Sequence, residues 1–173
     1  MSKRNAPLAR RMSVYPCAKG LAFAIIEARG LLVSWGIARL YSRQDEELRQ
    51  RLSDLVDKYR VRSVYVEQID GSRRGSRSRL AVKITVDYAH TAKLTVADVN
   101  QTQMRTVLGL RANSTRHEVA VRICELLPEL ETQLPLSRRP WQPENERISV
   151  FIAAALALAG AAGTGTHILK SIR

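Results

Sequence analysis

The chain has 173 residues and is basic, with 28 lysines and arginines against 16 acidic residues and a formal net charge of +12. Its length suits one domain with its own core. The composition, with 45% hydrophobic and 25% charged residues, is not that of a disordered chain. Because each phosphate that a basic protein neutralises releases a counterion, this excess of charge favours a polyanionic partner. We expect nucleic acid, ahead of a ribosomal or an anionic membrane surface.

The cysteines and one apolar stretch limit the class of protein further. Cys17 and Cys124 are too few for a zinc site or a disulfide framework, which predicts two reduced core thiols. No secretory signal follows the basic residues 1–12, so a cytoplasmic location is expected. The most apolar stretch, residues 148–163, has 16 residues, whereas a membrane span needs about 20. It is therefore predicted to be a buried helix.

The N-terminal part of the domain has the pattern of a β-meander. Residues 12–15, 20–27 and 31–40 have the apolar composition of strands, and short turns join them. Three consecutive strands with such turns are expected to pair antiparallel.

The pattern then changes to helices that alternate with strands. Residues 44–59 place their apolar side chains on one stripe of a helix, and three acidic residues in its first turn suit the helix dipole. Residues 64–66 predict a fourth strand that ends at Glu67. A Gly/Ser/Arg loop, a helix and a fifth strand are then predicted at residues 69–79, 80–93 and 94–99.

The C-terminal part is predicted to be mainly helical. A short helix is expected over residues 101–108. Thr115 and Glu118 have the spacing of a capping box, which predicts the start of a second helix. A proline-broken basic linker over residues 134–143 then leads to a final helix over residues 144–159.

The element order βββαβα(β)α predicts an α/β fold. Such an order favours a mixed sheet, with three antiparallel strands and then parallel strands, flanked by helices. The domain is predicted to span residues 12–160. It is preceded by a basic flexible arm at residues 1–11 and followed by a C-terminal tail at residues 161–173.

Four segments carry a family resemblance. In the first, a strand with Tyr-Pro-Cys precedes a Gly-led apolar strand, and in the second a strand ends in glutamate. In the third, a segment with Arg and Gly precedes the penultimate helix, and the fourth is the last helix, which is rich in Ala and Leu. They are residues 13–27 (SVYPCAKGLAFAIIE), 64–67 (VYVE), 99–110 (VNQTQMRTVLGL) and 146–158 (ERISVFIAAALAL). In this order, over residues 12–159, they resemble the ribonuclease H-like superfamily and within it the RuvC-type Holliday-junction resolvases.

The resemblance implies a centre in which carboxylates hold two divalent cations, Mg²⁺ or Mn²⁺, for phosphodiester hydrolysis. In these resolvases the acids come from the first strand, the fourth strand and the last helix. This chain has Tyr15 at the first position and Ile152 at the last, with Ser149 one turn earlier, and only Glu67 matches in type. Tyrosine and isoleucine do not replace carboxylates around a hard cation. The sequence therefore predicts a nucleic-acid-binding, RuvC-like protein with a degenerate or unorthodox catalytic centre.

Other acids leave an active enzyme open as an alternative. A rebuilt site of Glu67, Asp70 and Glu146, with Glu67 as metal ligand, would make the chain a Mg²⁺- or Mn²⁺-dependent endonuclease for branched or structured DNA. In the competing interpretation, Glu144 and Glu146 are favourable charges at a helix N-terminus. Glu67 then pairs with an arginine from the loop that follows it.

Two basic clusters are the predicted nucleic-acid contacts, because mobile cations among glycines and serines suit phosphate binding. The first cluster consists of Arg73, Arg74, Arg77, Arg79 and Lys83. The second consists of Arg138, Arg139 and Arg147, with Trp141 nearby. Trp141 could stack on a base, but a tryptophan beside prolines is more often packed against the core, which is also the expectation for Trp35.

The expected partner is nucleic acid, DNA ahead of RNA, without a membrane. A homodimer is also expected, since the resolvases pair through the helix that corresponds to residues 80–93. A third hypothesis is a structural basic subunit of a nucleoprotein assembly. Salt-dependent binding to junction, duplex and RNA distinguishes that hypothesis from direct nucleic-acid recognition.

Overall fold

The computed structural model describes residues 9–42, 45–69 and 75–163. The five strands are β1 (Arg10–Cys17), β2 (Gly20–Glu27), β3 (Leu32–Arg39), β4 (Val61–Glu67) and β5 (Thr95–Val99). They form a single sheet in the order β3-β2-β1-β4-β5. β1, β2 and β3 pair antiparallel, whereas β4 runs parallel to β1 and β5 parallel to β4. The predicted mixed sheet is confirmed.

Helices cover both faces of this sheet. They are α1 (Asp45–Tyr59), α2 (Ser76–Thr91), α3 (Gln101–Val107), α4 (Arg116–Leu126), a 3-10 helix (Pro128–Gln133) and α5 (Ile148–Gly163). Successive residues of a strand point to opposite faces, so Val14 packs in a cluster with Leu52 of α1 and Tyr15 in a cluster with Phe151 of α5. The protein therefore has three layers, with α1 and α2 on one face and α3, α4 and α5 on the other.

α5 fills the centre of the hydrophobic cluster that contains Tyr15 and Phe151. Its side chains from Phe151 to Ala159 are all buried, and the Ser13 hydroxyl of β1 donates a hydrogen bond to the Ala153 carbonyl. The buried helix predicted for the apolar run is confirmed. None of the helices in the described ranges combines the length and apolar character needed to cross a membrane.

β1 is longer than the predicted residues 12–15. It includes Pro16, which was expected in a turn. The pairing of β1 with β4 ends at Val14, so the missing N–H of Pro16 removes no hydrogen bond to β4. The hairpin then requires glycine at Gly20, where a Cβ atom would lie 2.1 Å from the Ala38 carbonyl oxygen.

The loop predicted over residues 69–79 is shorter than expected. α2 begins at Ser76, with Gly75 as its N-cap, so Arg77 and Arg79 lie in the first turn of a helix rather than in a loop. The β-branched residues Ile84 and Thr85, which are poor helix formers, lie at the centre of α2 and are buried. Burial of that face offsets their low helix propensity.

The predicted capping box fixes the start of α4. The Glu118 amide donates to the Thr115 hydroxyl at 3.2 Å, and the Thr115 amide donates to the Glu118 carboxylate at 2.6 Å. The bond from the Thr115 backbone holds the pKa of Glu118 below its ordinary value. Because Arg116 is the first residue after this cap, the capping box also fixes the point of the backbone from which its side chain extends.

Gly160 of α5 is expected to resist substitution, although alanine is the better helix former. A Cβ atom at Gly160 would lie 2.6 Å from the ring of Tyr65, which is itself only 2% exposed. Overpacking of this kind costs about 1–3 kcal/mol, which exceeds the gain of about 1 kcal/mol in helix propensity. Urea denaturation of Gly160→Ala should therefore give a free energy of unfolding about 1–2 kcal/mol lower than wild type.

Gly163→Ala is the matched control for this prediction. Its Cβ atom would meet only the end of the Gln103 side chain, at 3.1 Å, and that side chain is free to shift. We expect its stability to stay within about 0.5 kcal/mol of wild type. A Gly160→Ala protein as stable as this control would contradict the packing argument.

Candidate functional site

Tyr15 lies at the carboxyl ends of the parallel strands, on the face that α5 covers. β1 pairs with β4 up to Val14 opposite Val66, so Tyr15 and Glu67 are the next residues on two neighbouring strands. Tyr15 is 2% exposed and belongs to the same buried cluster as Phe151. The position where the family resemblance implies an aspartate therefore holds an aromatic ring that packs in the core.

Glu67 is buried and connected to α3 by side-chain hydrogen bonds. Gln101, the first residue of α3, donates from Nε2 to the Glu67 carboxylate. The Oε1 atom of Gln101 accepts from Arg105 Nη1 at 2.8 Å, and Arg105 Nε donates to the Ser114 carbonyl at 3.0 Å. Glu67 therefore anchors α3, and through Arg105 the loop before α4, to the end of β4.

Gln101 was not among the residues predicted from the sequence as partners of Glu67. A signal was nonetheless present, since Gln101 is the second residue after β5, and β5 is the parallel neighbour of β4. The carboxyl ends of parallel neighbours lie at the same edge of a sheet. A polar residue just beyond β5 was therefore a candidate contact for the glutamate that ends β4.

Arg116 is a second residue of this site that was not predicted from the sequence. Its guanidinium carbon lies 5.8 Å from the centroid of the Tyr15 ring, and its Nη1 atom pairs with the Glu144 carboxylate. Burial opposes the charge of Arg116, but its electrostatic interactions with Tyr15, Glu144 and Glu67 outweigh this effect and raise the pKa of the guanidinium above its ordinary value. A permanent positive charge is therefore fixed beside Tyr15.

Glu144 and Glu146 lie before α5 rather than in its first turn, which corrects the predicted helix start at residue 144. α5 begins at Ile148. The Asn145 side-chain oxygen accepts the Arg147 amide at 3.0 Å. Local bonds of this kind compete with helical hydrogen bonding, so the helix starts only after them.

The carboxylate of Glu146 already has partners. It pairs with Lys19 Nζ at 3.1 Å and accepts a weak hydrogen bond from Cys17 Sγ at 3.9 Å. Burial raises the pKa of the Cys17 thiol, and the nearby charge of Glu146 raises it further. Cys17 is therefore a neutral thiol at neutral pH rather than a nucleophilic thiolate.

A cavity of about 360 Å³ adjoins Tyr15 and brings several of the predicted residues together. Its boundary includes Tyr15, Arg77, Glu146 and Ser149, together with Arg116 and Glu144. We call this cavity the central cavity. It combines two guanidinium groups with two carboxylates.

The other predicted residues lie elsewhere. Glu67 borders a different cavity, together with Arg79 and Lys83. Ile152 is 2% exposed and packs in the core cluster. Asp70, Arg73 and Arg74 lie outside the described residues.

The donor set of the central cavity does not fit a pair of divalent cations. Within residues 9–42, 45–69 and 75–163, no group of three or more His, Cys, Asp or Glu side chains is placed to share a metal ion. Glu144 is paired with Arg116 and Glu146 with Lys19, and Glu67 accepts from Gln101. Mg²⁺ and Mn²⁺ need several oxygen ligands, so these residues do not form the two-metal centre implied by the family resemblance.

The second basic cluster lies in the irregular segment between the 3-10 helix and α5. Arg138 Nη1 donates to the Gln142 carbonyl at 2.7 Å, and the Arg139 amide donates to the Gln142 side chain at 3.0 Å. Trp141 is 75% exposed, so the expectation that it packs against the core is wrong. The prolines on either side hold this residue in an irregular segment away from the core clusters. Trp35, in contrast, packs against the core as expected.

A groove of about 1450 Å³ runs beside this segment. Its charged or titratable side chains are Arg105, Arg116, His117, Arg138, Arg139 and Glu144. We call it the linker groove. Arg116, Glu144 and Asn145 border both the linker groove and the central cavity, so the two are adjacent.

The sheet order and the helices on its two faces define a ribonuclease H-like fold of the RuvC type. No protein-family model matches the sequence, and no curated protein matches it. Among solved structures the chain is similar to Thermus thermophilus RuvC, with a TM-score of 0.67 and 18% identity over 91% of this chain and 97% of that chain.

Two further structures support the same fold. RuvC of T. thermophilus in complex with a Holliday junction substrate matches with a TM-score of 0.66 and 15% identity, over 92% of this chain and 97% of that one. The fowlpox virus Holliday junction resolvase matches with a TM-score of 0.58 and 11% identity, over 89% and 99% of the two chains. The predicted fold class is confirmed.

Proposed function

We propose that the protein binds nucleic acid through basic surfaces around a RuvC-like centre that no longer holds catalytic metal ions. The main observation in support is the position of Arg116 over Tyr15, paired with Glu144. A guanidinium that belongs to the protein supplies positive charge without the cluster of carboxylates that a bound metal ion requires. It presents positive charge to a phosphodiester at the place where the family resemblance implies a metal ion.

The basic surface of α2 extends this site. Arg77, Arg79 and Lys83 are exposed on α2, and Arg77 borders the central cavity. The first turn of α2 contains no acidic residue, so its cations face an unfavourable helix dipole that a bound phosphate would offset. We include Arg73 and Arg74, which precede this helix in sequence, in the same proposed contact surface.

DNA is the proposed partner ahead of RNA, and branched DNA is the first substrate to test. The reason is the similarity in fold to a RuvC structure in complex with a Holliday junction substrate. A homodimer through α2 belongs to the same proposal, and Leu80 of that helix is 47% exposed.

A second candidate function is an active endonuclease with Glu67, Asp70 and Glu146 as its catalytic acids. It is favoured by the burial of Glu67 at the end of β4 and by Glu146 at the border of the central cavity. In this alternative, Mg²⁺ or Mn²⁺ would be held by Glu67 and the two replacement acids. The metal would then have to compete with Lys19 for Glu146.

Glu67→Gln is expected to have little effect on nucleic-acid binding. We expect wild type and variant to bind a labelled four-way junction in EDTA with dissociation constants within about twofold, because the new amide still offers Gln101 an acceptor. Neither protein should cleave junction, single-stranded or duplex DNA in Mg²⁺ or Mn²⁺. The measurement is a gel-shift titration beside a cleavage assay.

The same assay contains the result that would reverse the proposal. Metal-dependent cleavage by wild type that Glu67→Gln abolishes would establish the rebuilt metal site. Failure to bind junction, duplex and RNA at low salt would instead favour a structural subunit that docks on protein. Binding that falls steeply with salt supports direct phosphate contacts.

A further inference from the structure

Trp141 is an exposed aromatic ring in a fixed setting. The Arg139 guanidinium carbon lies 5.7 Å from the ring centroid, and a cation over one face of an indole restrains its orientation. Gln142 bonds to both Arg138 and Arg139, which orders the turn on which Trp141 sits. At 75% exposure the ring keeps most of its surface for a ligand. A flat, restrained aromatic surface suits the stacking of another flat ring.

The linker groove next to Trp141 has the charge of a polyanion site. Pro140 and Gln142, the neighbours of Trp141, border the groove, so the tryptophan lies at its rim. Among the described residues that line the groove, five of the six charged or titratable groups are basic, and the remaining one, Glu144, is paired with Arg116. The volume of about 1450 Å³ exceeds that of ordinary small-molecule pockets, which are about 300–1,000 Å³. An extended, negatively charged chain fits these features.

We infer that the linker groove binds a single-stranded nucleic-acid segment, with an unpaired base stacked on Trp141 and its phosphates on Arg138 and Arg139. This inference rests on the proposed nucleic-acid binding and adds the kind of segment that is recognised. Because the groove adjoins the central cavity through Arg116, the same strand would continue toward Tyr15.

The inference predicts a preference between single and double strands. In a duplex both faces of each base are already stacked, so Trp141 has no base to contact and only the phosphates interact. In an unpaired segment the base faces are open, and each aromatic stack adds to the affinity in a way that tolerates any base. The contribution of Trp141 should therefore be specific to unpaired nucleotides.

Tryptophan fluorescence tests this directly, because the chain has two tryptophans. In a Trp35→Phe background, Trp141 is the fluorophore. We expect a 12-nucleotide oligothymidine to quench its emission and an abasic strand with the same number of phosphates to bind without comparable quenching. Equal quenching by the abasic strand, or binding of oligothymidine without quenching, would overturn the inference.

Affinity measurements on full-length variants provide the second arm. Trp141→Ala should weaken oligothymidine binding by roughly 5- to 100-fold and change the binding of a 12-base-pair duplex by less than about twofold, since the phosphate contacts stay. Trp141→Phe should restore most of the affinity. If Trp141→Ala weakens the binding of duplex and single strand equally, the base-stacking role is overturned while nucleic-acid binding remains. If the wild-type protein binds neither ligand, the proposed function itself is overturned.

Discussion

Tyr15→Asp is expected to lower the free energy of unfolding by about 3–5 kcal/mol, because a large buried side chain is removed and a carboxylate is placed in the core. Tyr15 is 2% exposed and packs with the residues of α5. The substitution restores the residue type that the family resemblance implies, yet it should not create a metal site. The guanidinium of Arg116 already lies beside this position and would pair with the new carboxylate. Denaturant unfolding measures the decrease in stability.

The double variant Tyr15→Asp/Arg116→Ala separates the two effects. Without the guanidinium, Arg116 no longer competes with a metal ion for the new carboxylate and Glu144, and we expect about 10 mM Mn²⁺ to stabilise this protein by about 1 kcal/mol for a dissociation constant near 2 mM. Wild type and the single variant, at matched ionic strength, should gain nothing comparable. Equal stabilisation of wild type by Mn²⁺ would mean that the natural residues hold a metal, and the degenerate centre would be disproved.

The stability effect of Arg116 itself is expected to be small. The side chains of Arg116 and Glu144 are 40% and 34% exposed, and partly exposed ion pairs contribute about 0–1 kcal/mol. The importance of Arg116 thus lies in the position of its charge beside Tyr15 rather than in the stability of the fold. This difference is why Arg116→Ala is a usable background for the metal titration.

The parts of the fold that local sequence determines were predicted from it. Alternating and continuous apolar runs gave the three-strand meander, and the apolar run from residue 148 gave a buried helix. The Thr115–Glu118 capping box depends on residues three apart, so its geometry follows from local spacing alone. Strand and helix ends were less accurate because tertiary pairing sets them, as for Pro16 in β1.

The composition of the site could be predicted only in part, because its contacts join distant segments. Gln101 contacts Glu67 across 34 positions, and Arg116 contacts Glu144 across 28. Glutamine and arginine are common residue types, so neither Gln101 nor Arg116 stands out in the sequence as a site residue. A motif comparison identifies the missing acid at Tyr15 but gives no information on what occupies the space beside it. Trp141 shows the same limit, since its exposure follows from how the proline-rich segment runs.

The contribution of the linker groove to DNA binding can be distinguished from that of the protein's overall positive charge. A net charge of +12 attracts DNA at any face, but only cations that contact phosphates release the associated counterions. Arg138 and Arg139 border the linker groove. Arg29 and Arg62, in contrast, are exposed in the turn after β2 and near the start of β4, which places them at the end of the sheet away from Tyr15. Two double variants that remove the same charge can therefore be compared.

Arg138→Ala/Arg139→Ala is expected to weaken four-way-junction binding at about 0.15 M salt by roughly tenfold or more and to reduce the slope of log K against log salt by about 1.8, or about 0.9 for each phosphate that is no longer neutralised. Arg29→Ala/Arg62→Ala removes the same charge and should lower the slope by much less, because its arginines face away from the proposed path of the DNA. Titrations between 50 and 200 mM salt give both slopes. If the slope falls equally in the two double variants, binding comes from diffuse charge, and the linker groove has no special part in it.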